Sequence, residues 1–322
     1  MIDDKTELHD EVHHLDTGAS ETALSKAGAG DMPAQVVLNG AQIRIDALLP
    51  AEMAERMEDV GVKKARLDFW TMLALAILAG AFIGLGAVFS TTVATGAGGL
   101  PYGVARLLTG LSFCLGLILV IVGGAELFTG NNLIVMAWAS GKITMFSMFR
   151  NWIIVYVGNL AGAISLVVLM YFARQYTFAG GEVGRTALNI AVSKVNLGFA
   201  QAVALGILCN ALVCLAVWLT VGARTTIDKI LAILFPITAF VAASFEHSVA
   251  NMYFIPMGLF MKEFDPSFVA SLNISNLESL TWSTFFVNNL LPVTVGNIIG
   301  GAVMVAIVYW FIYRRPKVTR SR

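Results

Sequence analysis

Four stretches of the chain are apolar runs long enough to cross a bilayer: Trp70–Phe89, Trp152–Tyr171, Phe199–Val221 and Leu291–Tyr313. A helix needs about 20 such residues to span the hydrocarbon core. Two further runs do not fit one straight helix. Leu107–Gly141 holds a single charge, Glu126, in 35 residues, which as one helix would be roughly 50 Å long. Ile230–Met261 is interrupted near its middle by Glu246 and His247. Both are expected to be broken helices whose halves meet in a loop at membrane depth, where protein or a wet cavity must satisfy the freed backbone. The pattern predicts six spans.

The polar remainder lies mostly at the start. Residues 1–47 combine low hydrophobicity with acidic residues and helix breakers, the composition of a disordered tail. No basic n-region of a secretory signal precedes the first apolar run. His13 and His14 lie in this tail and are expected to be solvated rather than metal ligands. Between residues 48 and 66 the pattern changes: Leu49, Met53, Met57 and Val60 recur at helical spacing among Glu and Arg. This predicts a short amphipathic helix on the membrane or protein surface, serving as an anchor or as a gate at the cytoplasmic mouth. The domain plan is therefore a tail (1–47), an amphipathic helix (48–66), a six-span unit (67–313) and a basic tail (314–322).

Composition agrees. Hydrophobic residues make up 57% and charged residues 13% of the 322-residue chain, against about 25% charged in soluble domains. That excludes an ordinary soluble enzyme and, with no basic face, a nucleic-acid binder. Of the charged side chains, 21 precede Phe69 and 14 of these are acidic. Beyond the tail, basic residues favour one side. Lys63, Lys64, Arg66, Lys142, Arg150, Arg224, Lys229, Arg314, Arg315, Lys317, Arg320 and Arg322 flank one set of span ends, against Arg106, Arg174, Arg185, Lys194 and Lys262 on the other. Twelve against five predicts both termini in the cytoplasm. Cys114, Cys209 and Cys214 sit in apolar runs without metal spacing and are expected to be packing residues. No metal or cofactor is expected.

The chain also repeats itself. Glu126-Leu-Phe-Thr-Gly-Asn131 and Glu246-His-Ser-Val-Ala-Asn251 share Glu-x4-Asn, each at a predicted break, and Val157-Gly-Asn-Leu-Ala-Gly162 matches Val295-Gly-Asn-Ile-Ile-Gly300. Three spans per copy make the copies opposite in topology, so the chain is expected to be an all-α membrane protein with a 3+3 inverted repeat. In such proteins the functional site lies at the broken helices, near the midplane. Gly158, Gly162, Gly296 and Gly300 would let helices approach closely.

At these residues the sequence resembles the formate/nitrite transporter family, and its bacterial formate channels in particular, from about Leu48 to Tyr313. The resemblance rests on Gly124-Ala-Glu-Leu-Phe-Thr-Gly130, Asn210-Ala-Leu-Val-Cys-Leu-Ala-Val-Trp218, Phe245-Glu-His-Ser-Val-Ala-Asn-Met252 and Pro292-Val-Thr-Val-Gly-Asn-Ile-Ile-Gly300. Ala211, where the family usually has a larger apolar residue, and the acidic tail depart from it. The resemblance implies an aquaporin-like fold, a homopentamer in the bacterial inner membrane with one anion pore per protomer, and a small anion such as formate or nitrite as cargo.

An ionisable side chain at membrane depth marks function, because placing it there costs several kcal/mol, about 3 on insertion scales, unless it is paired or wet. His247 is the foremost candidate, an imidazole able to exchange protons near neutral pH. The resemblance places it at the pore centre opposite Thr129, where hydroxyl and imidazole would hold a small planar anion. Glu126 and Glu246 would repel such a cargo and are expected to be structural, accepting hydrogen bonds from the loop amides. Asn131 and Asn251 are expected to tie the loops to the half-helix ends, and Asn159, Asn210 and Asn297 to line or brace the pore. Half-helix N-termini would add positive potential. By resemblance, Phe113, Leu117 and Phe240 form an outer constriction, Leu127 and Phe128 contribute to an inner one, and Lys194, in an outside loop, raises the local anion concentration. Apolar rings of this kind favour anions that shed water readily.

The expected function is thus a passive or proton-linked conduit for formate, then nitrite, hydrosulfide or a short carboxylate such as lactate. A neutral-solute pore of the same fold is the alternative. No catalytic residues are expected: Ser248 and His247 are adjacent and point in different directions on a helix, with no Gly-x-Ser-x-Gly elbow, and there is no His-Glu-x-x-His.

Overall fold

The computed structural model describes residues 35–38, 41–44 and 48–316. The rest of the acidic tail, His13 and His14, and the basic residues Lys317, Arg320 and Arg322 lie outside the described residues.

One part of the tail differs from expectation. β1 (Gln35–Leu38) and β2 (Ala41–Arg44) pair antiparallel, with Val36 opposite Ile43. The sequence between them is Asn39-Gly40, the strongest short-range hairpin signal, and low average hydrophobicity concealed it. These strands belong to a separate unit, Met1–Ile45, apart from the helical unit of residues 46–322.

The helical unit opens with α1 (Pro50–Ala65), the expected amphipathic helix, with Met53, Ala54 and Met57 buried. α2 (Phe69–Ala94) follows, capped by Asp68, whose carboxylate accepts from the amides of Trp70 and Thr71. α3 (Tyr102–Gly123) ends at the first break, beyond which come α4 (Phe128–Asn131), a tight 3₁₀ turn and α5 (Val135–Ala139). α6 (Met145–Phe172) completes the first half.

The second half repeats this order. α7 (Glu182–Val195) takes the place of α1, where the sequence pattern predicts a loop; at 14 residues it is too short for a span-length apolar run. α8 (Phe199–Val221), α9 (Thr226–Ala242), the second break and α10 (Ser248–Phe264) follow. After the short α11 (Pro266–Ser271), the last span runs Thr284–Tyr313 and contains α12 (Leu291–Ile298) and α13 (Val308–Tyr313). Its remaining turns are wound as π-helix. Among the described residues, five helices are individually long and apolar enough to cross a membrane. The sixth passage is α9 and α10 together, 17 residues each.

Small residues set the spacing within each half. A Cβ on Gly162 of α6 would lie 1.9 Å from the Ile77 carbonyl oxygen of α2, and one on Gly300 would lie 2.2 Å from that of Ile207 in α8. The first and third spans of each half therefore meet backbone to backbone. In lipid, where helices gain no hydrophobic free energy by associating, such close packing holds them together. It also brings the Val-Gly-Asn motifs against the breaks.

Candidate functional site

Each broken helix ends in the same way. The Ala125 amide donates to the Val120 carbonyl and the Phe245 amide to that of Phe240, both at 2.9 Å. The chain then crosses the gap through three residues without regular secondary structure, the last of them, Leu127 or His247, extended, and the second half-helix begins.

Asn159 and Asn297 supply what these segments lack. Asn159 Oδ1 accepts from the Phe128 amide at 2.9 Å, while its Nδ2 donates to the carbonyls of Ala76 (2.8 Å) and Glu126 (2.9 Å). Asn297 Oδ1 accepts from the Ser248 amide at 2.9 Å, and its Nδ2 donates to Gly206 (2.8 Å) and Glu246 (2.9 Å). Each carboxamide thus pins a loop to the first span of its own half. These two residues brace the breaks rather than line a passage.

The carboxylates behave otherwise than expected. Glu126 accepts not from loop amides but from Lys64 Nζ (2.5 Å) and Asn131 Nδ2 (2.7 Å). Glu246 accepts from Lys194 Nζ (2.7 Å), Asn251 Nδ2 (2.7 Å) and Asn289 Nδ2 (3.3 Å). The loop amides are already taken by Asn159 and Asn297, so the carboxylates turn to cations from α1 and α7. Asn131 Nδ2 also donates to Asn151 Oδ1, and Asn251 Nδ2 to Asn289 Oδ1. Asn151 and Asn289 in turn donate to the Lys64 and Lys194 carbonyls. Two mirror-related tetrads result: Lys64–Glu126–Asn131–Asn151 and Lys194–Glu246–Asn251–Asn289. The sequence pattern assigns no such role to Lys64, Asn151 or Asn289. A signal existed, since each Asn stands eight residues before the Asn of Val-Gly-Asn and each Lys five before the Phe that opens a first span.

Between the tetrads the two breaks meet. His247 Nε2 and Thr129 Oγ1 are 2.9 Å apart, and both residues are buried. His247 Nδ1 accepts from the Ala250 amide at 3.0 Å. In the neutral ring Nε2 therefore carries the proton and donates it to Thr129. The Ser248 and Ala250 amides at the start of α10 are occupied by Asn297 and His247. Asn210 stands behind Thr129, its Nδ2 donating to Asn132 Oδ1 (2.9 Å) and to the carbonyls of Asn297 (2.7 Å) and Thr129 (3.3 Å). It ties the first break to α12, the helix that carries Asn297.

Three cavities, each sharing lining residues with the next, run past His247. A vestibule of about 150 Å³ on the α7 side reaches Phe113, Phe240 and His247. A chamber of about 10 Å³ shares those three residues and adds Leu117 and Leu127; that is about the room of one water molecule. Leu117 and Leu127 are shared in turn with a cavity of about 60 Å³ walled by Met57, Val60, Gly61 and Lys64 near α1. Phe113 and Phe240, edge to face with centroids 5.7 Å apart, form the narrowing on the α7 side.

Two expected positions need correction. Leu117 narrows the α1 side with Leu127, not the α7 side with the phenylalanines, because it lies one helical turn further along α3 than Phe113. Phe128 lines none of these three cavities. Its ring packs against Trp152 and Tyr156 and lines an apolar groove between α6 and α12. Adjacent residues at a helix start point in different directions, so Thr129 and Phe128 cannot both face the centre. Lys194 lines the vestibule from a helix rather than a loop, and is already paired with Glu246.

A family model for formate/nitrite transporters matches residues 51–311. The chain belongs to the formate/nitrite transporter family. It is 46% identical to the formate channel FocA of Escherichia coli over 273 residues, 84% of this chain and 96% of that one. It is 40% identical to the formate channel FocA of Haemophilus influenzae over 264 residues, covering 81% and 93%. Among solved structures, a pentameric formate channel with formate bound shares 48% identity at a TM-score of 0.72, covering 76% of this chain and 97% of that one. An ion channel of the same family shares 28% at 0.70, covering 81% and 98%. The family membership and the apolar helices make this a multi-pass membrane protein, and the relatives it matches are channels and transporters. The mirrored tetrads and the Thr129–His247 contact are thus this family member's own version of an inverted-repeat centre.

Proposed function

We propose that the protein is a homopentameric channel for small monovalent anions, formate first and nitrite next, with a separate route through each protomer. The observation that carries this reading is the Thr129–His247 pair at the meeting of the two breaks. One hydroxyl and one imidazole N–H face each other between apolar narrowings, a donor set matched to the oxygens of a small planar anion. Formate entering between them would accept from both groups in place of their mutual hydrogen bond. Phe113 and Phe240 on one side, Leu117 and Leu127 on the other, would strip its water. Strongly hydrated anions pay most for that step. Glu126 and Glu246 are kept from repelling the cargo by their lysine partners. This reading asks for no covalent step.

The basic flanks support an inner-membrane orientation with both termini cytoplasmic, the α1 side inside and the α7 side outside. Residues 67–313 would be the membrane unit, and α1 the element at the inner mouth. In proteoliposomes the purified protein is expected to pass formate and not glycerol, and His247→Ala to lose most of that flux or change its pH dependence. Glycerol-driven swelling without formate flux would favour the neutral-solute pore. Equal formate flux at every pH in the variant would remove His247 from the mechanism.

A further inference from the structure

The vestibule wall carries three charged side chains: Arg106, Lys194 and Glu246. Lys194 and Glu246 pair at 2.7 Å and largely cancel. Arg106 has no carboxylate partner among the described residues. Its guanidinium is anchored instead on the end of half-helix α9: Nε donates to the Ala242 carbonyl (3.1 Å), and Nη2 to the Val241 carbonyl and to Ser244 Oγ (2.8 Å). Nη1 has no protein acceptor among the described residues, which leaves two donors for a ligand.

The backbone at Ser244 gives independent support. This residue adopts φ = +58°, a left-handed conformation disfavoured when a Cβ is present, whereas the mirror position at the end of α3 is Gly124, φ = +76°. Among the described residues no cation is recorded on the last carbonyls of α3. Both halves need the turn, but only the α7-side half fills it with a hydroxyl, and that hydroxyl holds Arg106. A non-glycine residue kept in such a conformation points to a job for its side chain.

We propose that Arg106, positioned by Ser244 and the α9 carbonyls, sets the positive potential of the vestibule and is the first resting place of the incoming anion. This rests on the channel reading above. Without Arg106, the negative end of the α9 dipole would face the vestibule beside a neutral ion pair. With it, a half-buried cation sits within a confined cavity, the arrangement that concentrates counter-ions.

Formate flux into proteoliposomes is measured at low concentration in about 20 mM and about 300 mM ionic strength, since the Debye length falls from roughly 20 Å to under 10 Å between them. Wild-type flux is expected to be several-fold higher in low salt. Arg106→Gln should lose about three- to tenfold in low salt, with little salt dependence left and the saturating flux nearly kept. Arg106→Lys, which keeps the charge but not the three-fold anchoring, should retain the salt dependence at a higher half-saturating concentration. Wild-type salt dependence in Arg106→Gln overturns the proposal. Loss of salt dependence in Arg106→Lys equally overturns it, because Arg106 would then act only as a helix cap; that variant also decides the matter if Arg106→Gln fails to assemble. Absence of formate flux in the wild-type protein overturns the channel reading itself, and this inference with it.

Discussion

Removal of the Asn297 carboxamide tests both the architecture and its symmetry. Asn297→Ala leaves the Ser248 amide and the Glu246 carbonyl without partners, and deprives the Gly206 carbonyl of its second bond. All three groups adjoin a side chain with no solvent exposure. An orphaned buried backbone group costs about 1–3 kcal/mol. The Gly206 carbonyl, inside α8, contributes least because its helical bond remains. The expected loss is about 3–5 kcal/mol, or a fall of roughly 6–15 °C in melting temperature by the usual scaling. Asn159→Ala removes the mirror-related set at the Phe128 amide and the Glu126 and Ala76 carbonyls. Its cost should agree within about 1 kcal/mol, the usual context spread for single hydrogen bonds. Thermal unfolding of the solubilised proteins, followed by tryptophan fluorescence and by loss of the assembled peak in size exclusion, measures both. Formate flux in Asn297→Ala should fall more than stability alone explains, because Ser248 adjoins His247. A loss below about 1 kcal/mol in either variant would refute the clamp, the lower bound for an orphaned group. Strongly unequal losses would refute the equivalence of the halves.

Two further outcomes concern other parts of the molecule. Glu58 on α1 is fully buried, with Lys142 Nζ at 2.8 Å, Arg314 Nε at 3.1 Å and the Ser140 hydroxyl donating to it. Burial works to raise its pKa, but the bonds from Lys142, Ser140 and Arg314 outweigh burial and hold it below the ordinary value of 4.5. A lowered carboxylate contributes stability that is complete above its unfolded pKa and is lost as pH falls through the folded one. Glu58→Gln should therefore melt earlier by about 1–3 kcal/mol with a constant gap from pH 7 to about 5.5, and the gap should close below about pH 4.5; a gap that widened with acid would contradict this reading. At the narrowing, Phe240→Ala removes one ring of the edge-to-face pair. It should raise lactate flux relative to formate by about tenfold, a barrier change of about 1.4 kcal/mol; competing radiolabelled fluxes that keep the wild-type ratio would place the filter elsewhere.

Much of the plan is legible without any coordinates. Spans are given by runs of apolar residues because lipid tolerates no unsatisfied backbone, and the breaks by charges where a straight helix would be too long. The Glu-x4-Asn and Val-Gly-Asn pairs reveal the inverted repeat, and the resemblance they carry puts Thr129 opposite His247. The Asn39-Gly40 hairpin is also readable, but averaging over an acidic tail hides it. Other errors arise because a side chain's direction depends on phase along a helix. Phe128 and Thr129 are neighbours in sequence, yet one faces the α6–α12 groove and the other the centre.

What the sequence determined by itself is the set of membrane-crossing segments, their twofold relation and the residues at the breaks, all consequences of local composition under the constraint of lipid. The tertiary structure decided which partner each buried polar group takes. Lys64 reaches Glu126 across 62 positions and Arg106 reaches Ser244 across 138, and no local pattern encodes such meetings. They arise from how closely the glycine-faced helices pack and at what angle they cross. A buried carboxylate is neutralised, and a vestibule left positive, only once that packing brings the opposite charges within a few ångströms or keeps them apart.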